Sequence, residues 1–298
     1  MKCPKCGFEQ PESPECIHCG IIVAKYLQKQ TPPQQHEDTP APAYPRSAHP
    51  KIKKLFQVIL LMCIIVFGVS YFKKDGLPDK SAILNELYRE PEQEKCDLEP
   101  FTVTTGGISY SITPLYTYRL FGLVVSCHDS TAWWDITHRK WQDYLNIKDL
   151  CVLWGENILT GAYRHIRFSS GMLTCYAQSN DEEAWSQFSM KCLANNHLLS
   201  ESSELNELIM STRTGDQIYM DGYLVNYART DSQFKRNTST ARNDLGDGAC
   251  EVVYVEDFRI LKKANTLWRF LFSASAWGAA LCCGVMLAVF IVEPLHAT

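Results

Sequence analysis

Two long apolar runs interrupt an otherwise mixed pattern of hydrophobic and polar positions. The first, Leu55 to Phe72, holds eighteen consecutive residues without a charge, and the second, Phe270 to Val292, holds twenty-three. As helices, both can cross a hydrocarbon layer about 30 Å thick. The pattern predicts transmembrane helices over residues 55–72 and 268–292. The first lies too far from the N-terminus for a cleaved signal peptide, so we expect it to act as a signal anchor.

The segments beside the first run have different compositions. Residues 28–54 include six prolines among glutamines and short polar residues, a composition that cannot bury a core and predicts a semi-extended linker. Residues 78–92, "PDKSAILNELYREPE", place Ile83, Leu84, Leu87 and Tyr88 at helical spacing before Pro91. This spacing predicts a short juxtamembrane amphipathic helix.

Between residues 94 and 263 the hydrophobic period changes to that of β-strands. Gly106-Gly107, Ser170-Gly171 and Asp221-Gly222 each separate two alternating stretches and predict hairpin turns. The stretch "SESSELNELIMSTRTGD" predicts one helix, and "ACEVVYVEDFRIL" predicts a strand that leads to the second apolar run. We therefore expect a β-rich α+β domain that forms a small barrel or a sandwich.

The N-terminus carries two Cys-x-x-Cys-Gly turns. Cys3, Cys6, Cys16 and Cys19 supply four thiolates, a ligand set that suits one structural zinc ion. About twenty residues cannot bury a core, so bound metal would supply the folding free energy. Residues 1–27 are thus predicted to form a minimal zinc ribbon, with iron or a pair of disulfides as the alternatives.

The distribution of charge limits the partners of the two polar segments. Residues 1–54 carry a net charge of +3 and residues 73–266 a net charge of −7. Neither has the dense basic surface of a phosphate-binding protein, which disfavours nucleic acid. We expect the ribbon to contact a protein.

Small residues recur at every fourth position of the second apolar run. Packing of this face against another helix would let the two backbones approach closely. The partner would be either the first run or a second copy of the chain, which would make a homo-oligomer. The face consists of Ala276, Ala280, Gly284 and Ala288.

Two polar segments in the β-rich domain are candidates for chemistry. The chain contains no Gly-x-Ser-x-Gly elbow, phosphate loop, His-Glu-x-x-His or dinucleotide fingerprint. His197 could act as a general base and a nearby hydroxyl as a nucleophile or anion cradle. The alternatives are a binding pocket for a peptide or glycan and a turn held by structural hydrogen bonds. The candidate residues are Asn195, Asn196, His197, Arg236, Thr238, Ser239, Thr240 and Arg242.

The cysteines bear on the side of the membrane that each segment occupies. The β-rich domain holds six of them, an even number that suggests disulfides in an oxidising compartment, although burial as free thiols is an alternative. Four metal-binding thiolates suggest a reducing compartment for the ribbon. The candidate disulfide residues are Cys96, Cys127, Cys151, Cys175, Cys192 and Cys250.

Two spans place both termini on the same side of a membrane. We therefore expect a bacterial inner-membrane protein with cytoplasmic termini and residues 73–267 in the periplasm. The basic residues near the spans oppose this topology, since four lie on the proposed inside and six on the proposed outside. We keep the cytoplasmic ribbon, because export of a metal-folded N-terminal segment without a leader is harder than tolerating a few lysines beside a long translocated domain.

Several motifs resemble those of known bacterial proteins. The start "CPKCG…ECIHCG" followed by "IIVAKY" resembles the zinc-ribbon heads of uncharacterised bacterial proteins. The stretches "GLVVS", "DLCVLWG", "ANNHLL", "GDQIYMDGYLV" and "TSTARNDLGDGACEVVYV" are similar to a family of uncharacterised bacterial membrane-anchored proteins with a β-rich domain. The resemblance implies a domain boundary and no activity.

These expectations combine into one architecture and two functions. The favoured function is a non-enzymatic adaptor or sensor that spans the membrane twice. Its ribbon would contact a cytoplasmic protein, and its β-rich domain would contact an envelope protein, peptide or glycan. The alternative is a membrane-anchored periplasmic hydrolase that uses the region of His197 and Arg242.

Overall fold

The computed structural model describes residues 1–30, 50–241, 244, 246 and 249–295. Most of the predicted linker, residues 31–49, and the candidate residue Arg242 therefore lie outside the described residues. The chain forms two compact units, Met1–Lys53 with Leu287–Thr298, and Lys54–Met286.

The first unit begins with two similar cysteine turns. Each turn closes through a short antiparallel bridge, Lys2 with Glu9 and Glu15 with Ile22. Gly7 and Gly20 have φ angles of 73° and 70°, a conformation that side chains with a Cβ rarely adopt. Helix α1 (Val23–Gln30) follows the second turn.

The remaining elements follow in chain order and build the second unit, apart from the first residues of α2 and the last residues of α7. They are helix α2 (Pro50–Lys73), strands β1 (Glu92–Lys95), β2 (Phe101–Thr105) and β3 (Ile108–Asp129), helix α3 (Ile136–Trp141), strand β4 (Asn146–Leu153), helix α4 (Glu156–Thr160), strands β5 (Arg167–Ser170) and β6 (Cys175–Gln178), helix α5 (Glu182–Ser186), strand β7 (Leu193–Leu199), helix α6 (Ser203–Ser211), strands β8 (Gln217–Arg229), β9 (Lys235–Arg236) and β10 (Glu251–Lys262), and helix α7 (Thr266–Leu295).

Five of the described strands close into a barrel in the order β3-β4-β7-β10-β8. The ring closes because the long strand β3 pairs with β4 through its C-terminal part and with β8 through residues 110–123. Within the ring, β7 and β10 are parallel, and the other neighbours are antiparallel. Helix α6 connects β7 to β8, the third and fourth ring strands in chain order. This connectivity is that of the five-stranded Greek-key barrels known as OB-folds, so the domain is a barrel and not a sandwich.

Two glycines allow strands of the ring to cross closely. A Cβ at Gly122 would lie 2.2 Å from Cγ1 of Val152, and a Cβ at Gly222 would lie 2.1 Å from the carbonyl oxygen of Tyr254. The expected turn at Asp221-Gly222 is therefore wrong, because β8 runs through both residues without interruption. Gly222 serves close backbone approach, which is the other common reason for a glycine inside a strand.

The barrel interior is filled by apolar side chains of the ring and of α6. Leu120, Leu150, Leu198 and Phe258 are almost completely buried there, and Ile209 of α6 packs against them. The hairpins predicted around Gly106-Gly107 and near Ser170-Gly171, the helix α6 and the strand β10 are confirmed.

The predicted amphipathic helix at residues 78–92 forms two separate 3-10 turns instead, Lys80–Ala82 and Asn85–Tyr88. Ile83 and Leu84 between them have extended backbones, with ψ angles of 139° and 146°. The extended backbone at Ile83 and Leu84 turns the side chains of Ile83 and Leu87 toward the outer face of the barrel, where both are buried. Burial of these two side chains against the sheet therefore overrides the helical spacing.

Residues 154–192 form a layer over the outside of β3 and β4. Ile158, Tyr163 and Phe188 from this layer pack with Leu123 and Leu153 of the barrel. Cys151 of β4 and Cys175 of β6 lie at disulfide distance, with their Cα atoms 5.9 Å apart. The other four candidates, Cys96, Cys127, Cys192 and Cys250, are all described and form no disulfide.

Helices α2 and α7 contain the segments Ile52–Lys73 and Thr266–Ile291, both long and apolar enough to cross a membrane. Within the second unit the two helices pack antiparallel, with the rings of Phe67 and Phe272 stacked at 4.5 Å. A Cβ at Gly278 would lie 2.9 Å from Sγ of Cys63. Ser275 and Cys282, on the same side of α7 as Gly278, are buried.

The predicted small-residue face of α7 is not the one that meets the first span. Ala280, Gly284 and Ala288 are exposed and Ala276 is half-buried. A Cβ at Gly284 would meet nothing within 4 Å among the described residues. The first span therefore packs on a different face of α7, because residues 275, 278 and 282 follow the three-and-four spacing of paired helices.

Candidate functional site

The four ribbon cysteines converge on one point. Sγ of Cys3 lies 3.7 Å from Sγ of Cys19, and Sγ of Cys6 lies 3.8 Å from Sγ of Cys16. All four sulfur atoms lie within 4.8 Å of one another. Four sulfurs bound tetrahedrally at about 2.3 Å from a zinc ion would be about 3.8 Å apart. The group can hold a metal ion and suits zinc in ligand type.

The backbone around the cysteines is fixed by hydrogen bonds that do not involve a metal. The amide of Gly7 donates to the carbonyl of Cys3 at 3.0 Å, and that of Gly20 donates to the carbonyl of Cys16 at 2.8 Å. Gln10 bridges the two turns: its Nε2 donates to the carbonyl of Glu15, and its Oε1 accepts from the amide of Ile17, both at 2.9 Å. The sequence had not pointed to this glutamine.

In the second unit, the two polar segments predicted from the sequence come together. His197 on β7 is fully buried. Its Nε2 lies 2.8 Å from Nη2 of Arg236 on β9, and its Nδ1 lies 2.7 Å from Oδ1 of Asp149 on β4. Arginine can only donate, so Nε2 of His197 accepts and the proton of the ring lies on Nδ1, facing the carboxylate. Nε2 is thus engaged with Arg236, whereas Nδ1 lies at ion-pair distance from Asp149 without hydrogen-bond geometry.

The cluster continues beyond the residues that the sequence suggested. Nδ2 of Asn146 lies 3.1 Å from Oδ1 of Asp149 and 3.1 Å from Nε2 of His138. Nδ1 of His138 and Nε2 of His128 each lie 2.7 Å from Oδ2 of Asp135. Asp149 directly precedes the apolar run of residues 150–153 within β4, and Asp135 precedes α3, two positions at which a buried carboxylate could have been suspected. We call the whole set, His128, Asp135, His138, Asn146, Asp149, His197 and Arg236, the polar cluster.

His128, Asp135 and His138 also satisfy the proximity expected of metal ligands. However, Oδ2 of Asp135 already accepts from both imidazoles, and its Oδ1 accepts from the amide of His138 at 2.9 Å, which caps α3. These hydrogen bonds account for the arrangement without an ion.

The charges of the polar cluster follow from competing effects. Burial alone would raise the pKa of Asp149, but His197, Arg236 and Asn146 outweigh it and the pKa is lowered. The pKa of Asp135 is also lowered, because hydrogen bonds from His128 and His138 outweigh burial. Both carboxylates are therefore held in their ionised forms.

In the neighbouring pair of Asp143 and Tyr227, the pKa values are raised instead of lowered. Tyr227 donates to Oδ2 of Asp143 at 2.6 Å, and burial raises the pKa of both groups. Asp143 is therefore the carboxyl of this region that most readily stays protonated.

The hydroxyls of Thr238 and Ser239 in the candidate loop form hydrogen bonds with other groups of the protein. Thr238 Oγ1 donates to the carbonyl of Ser239 at 2.9 Å and accepts from the amide of Val252 at 3.0 Å. Ser239 Oγ donates to Oδ2 of Asp244 at 2.5 Å, and the carbonyl of Thr240 accepts from Gln93 at 2.8 Å. These contacts are those of a stabilised turn.

The two asparagines beside His197 also serve the fold. Nδ2 of Asn196 lies 3.3 Å from the carbonyls of Leu150 and Ala194, and Nδ2 of Asn195 lies 3.8 Å from Sγ of Cys250. Asn195, Asn196 and Asp149 are all buried. In OB-folds the outer face of the second and third ring strands often binds ligands, but here β4 and β7 are covered at this point by the protein's own side chains.

The junction between barrel and helices holds a second buried charge pair. Asp216 is fully buried, and its Oδ1 accepts from Nη1 of Arg269 and from the amide of Ala264, both at 2.8 Å. Nη2 of Arg269 donates to the carbonyl of Thr214 at 2.7 Å. Arg269, in the first turn of α7, is therefore bound to the barrel by several contacts.

The two helices are also joined to each other at this level. Nε of Arg269 donates to the carbonyl of Lys74 at 3.3 Å, one residue beyond α2. Nδ2 of Asn265 donates to the carbonyl of Gly76 at 2.6 Å. The exits of both helices are thus fixed to one another and to the barrel.

Comparisons of the chain with protein-family models, with curated proteins and with solved structures find no match.

Proposed function

We propose that the chain is a two-span adaptor or sensor of a bacterial inner membrane. Its zinc-loaded ribbon binds a protein in the cytoplasm, and its barrel domain binds an envelope component in the periplasm. The observation that carries this proposal is the junction of Arg269, Asp216 and Asn265, which fixes the barrel to both helices. A change in the barrel on binding would therefore reach the spans directly.

The contacts made by the basic residues near the spans support this topology. Arg269 pairs with buried Asp216, Nζ of Lys262 donates to the carbonyl of Ala82 at 2.7 Å, and Nζ of Lys73 lies 4.8 Å from the centre of the Trp268 ring. Lys80 and Lys74 also hydrogen-bond, to the carbonyl of Leu159 and to Asp75. These residues have structural roles in the folded domain, which explains why they are basic there despite the positive-inside tendency.

The polar cluster favours binding over hydrolysis. A general base needs a ring nitrogen within reach of the proton that it removes, but Nε2 of His197 faces Arg236 and the ring is fully buried. The nearby hydroxyls of Thr238 and Ser239 are engaged in hydrogen bonds. The hydrolase alternative therefore lacks an accessible general base at His197.

Site-specific photocrosslinking in the native host tests the proposal. Ile17 in the ribbon is 75% exposed and Trp133 in the barrel domain is 77% exposed, so a photoreactive residue at either position can reach a partner. We expect position 17 to capture a cytoplasmic protein and position 133 an envelope component. Cys16→Ser should abolish only the first crosslink.

The hydrolase alternative gives a different result. Turnover of ester, peptide or glycoside model substrates by the full chain, lost on His197→Gln without loss of thermal stability, would favour an enzyme. Absence of any specific crosslink at both positions in membrane-inserted protein would contradict the adaptor.

A further inference from the structure

The segments of the barrel domain that adjoin the spans differ in net charge from the rest of the domain. Residues 73–80 and 259–265, which adjoin the two helices, carry a net charge of +4. Residues 81–258 carry a net charge of −11. An acidic domain thus presents a basic rim where its chain enters and leaves the predicted membrane.

A cavity of about 270 Å³ lies within this rim. Its walls come from the segment after α2, from the start of β8 and from the end of β10. Because Asn265 is the last residue before α7, the cavity adjoins the predicted membrane surface. The residues that matter here are Pro78, Ala82, Gln217, Lys262, Lys263 and Asn265; we call this the juxtamembrane cavity.

Two lysines provide the positive charge of the juxtamembrane cavity. Nζ of Lys262 donates one hydrogen bond, to the carbonyl of Ala82, and keeps two further protons for donation. The exposed side chain of Lys263 makes no polar contact within the part of the chain that the structure describes. The walls are otherwise neutral apart from Asp79, whose carboxylate pairs with Arg164 at 2.5 Å.

We propose that the juxtamembrane cavity binds the phosphate of an anionic phospholipid headgroup through Lys262 and Lys263. The inference rests on the membrane insertion contained in the proposed function. Basic residues beside a span are attracted to anionic lipid with a strength that corresponds to about fivefold in affinity per lysine. A cavity at this level offers such a headgroup a defined position between the two helix exits.

Native mass spectrometry of the full chain tests this inference. The protein is reconstituted in bilayers of phosphatidylcholine and phosphatidylglycerol, extracted in mild detergent, and its retained lipids are counted. We expect wild type to retain phosphatidylglycerol preferentially. The double variant Lys262→Gln/Lys263→Gln should lower that retention by at least about fivefold. The matched control, Lys191→Gln/Lys235→Gln, changes two exposed lysines elsewhere in the domain and should behave as wild type.

Three results would overturn the lipid site. They are equal retention of both lipids by wild type, equal retention of phosphatidylglycerol by the double variant and its control, and displacement of the lipid by soluble glycerol phosphate. In each case the protein remains membrane-inserted and the adaptor proposal stands. Recovery of the chain in the aqueous fraction after an alkaline wash would instead contradict both proposals.

Discussion

Replacing Arg269 by glutamine should weaken the junction between the barrel and the spans. The guanidinium of Arg269 is 19% exposed, and its partner Asp216 is fully buried. The substitution removes the positive charge that faces the Asp216 carboxylate, whose other donors among the described residues are the amides of Ala264 and Arg213. A buried charge that loses its opposite charge is strongly destabilising.

The expected magnitude follows from the burial of this pair. Removing one partner of a buried ion pair costs about 3–5 kcal/mol, and the partial exposure of Arg269 places the cost near 3 kcal/mol. For a domain of this size, such a loss lowers the thermal midpoint by about 6–12 °C. In an Asp216→Asn background no buried charge is left unpaired, so the same substitution should cost clearly less.

The assay is thermal unfolding of the full chain in mild detergent, followed by tryptophan fluorescence. Arg259→Gln is the matched control: Arg259 pairs with Asp257 at 2.5 Å, but their side chains are 67% and 38% exposed. Exposed pairs contribute about 0–1 kcal/mol. Equal midpoints for Arg269→Gln, Arg259→Gln and wild type would refute the reasoning, because the junction would then contribute no more than a surface contact.

Three further predictions concern the ribbon, the helices and the polar cluster. Cys16→Ser should reduce zinc from one ion per chain to none in elemental analysis, with Cys96→Ser as the unaffected control; iron as the native metal would contradict the ribbon. Gly278→Leu should lower thermal stability in detergent, because its side chain would enter the contact with the first span, whereas Gly284→Leu should not; equal effects would contradict the helix pairing. The pKa of Asp149 is lower in the folded state than in the unfolded chain, so its contribution is complete above about pH 4 and is lost as the pH falls through the folded pKa. Asp149→Asn should therefore lower stability at pH 7 and reduce the acid-induced loss; an unchanged pH dependence would contradict this.

Local patterns predicted many elements correctly. Gly106-Gly107 gives a hairpin between β2 and β3 because two glycines adopt positive φ angles there, 59° and 77°. The helix α6 follows from its spacing of apolar residues and from Ser202, whose side chain caps its first turn. The spacing of the ribbon cysteines likewise predicted that their sulfur atoms converge. In each case the cause lies within a few residues of the sequence.

The incorrect or missing predictions depend on contacts distant in sequence. Gly222 resembles a turn residue until Tyr254 of a neighbouring strand is placed against it. The face of α7 that meets the first span is decided by α2, more than 190 residues earlier, and not by the stripe of small residues. The polar cluster joins Asp149 to His197 because β4 and β7 pair in one register, which neither segment reveals alone.

The proposed topology places the ribbon and the barrel domain on opposite sides of a membrane. A membrane-impermeant maleimide applied to cells with a permeabilised outer membrane tests it through two single variants, Ile17→Cys and Trp133→Cys, with labelling quantified for each peptide. Both positions are well exposed, so accessibility depends on the compartment. We predict labelling at position 133 in intact spheroplasts and labelling at position 17 only after the inner membrane is opened. Labelling at 17 with protection at 133, or equal labelling of both before opening, would contradict this topology.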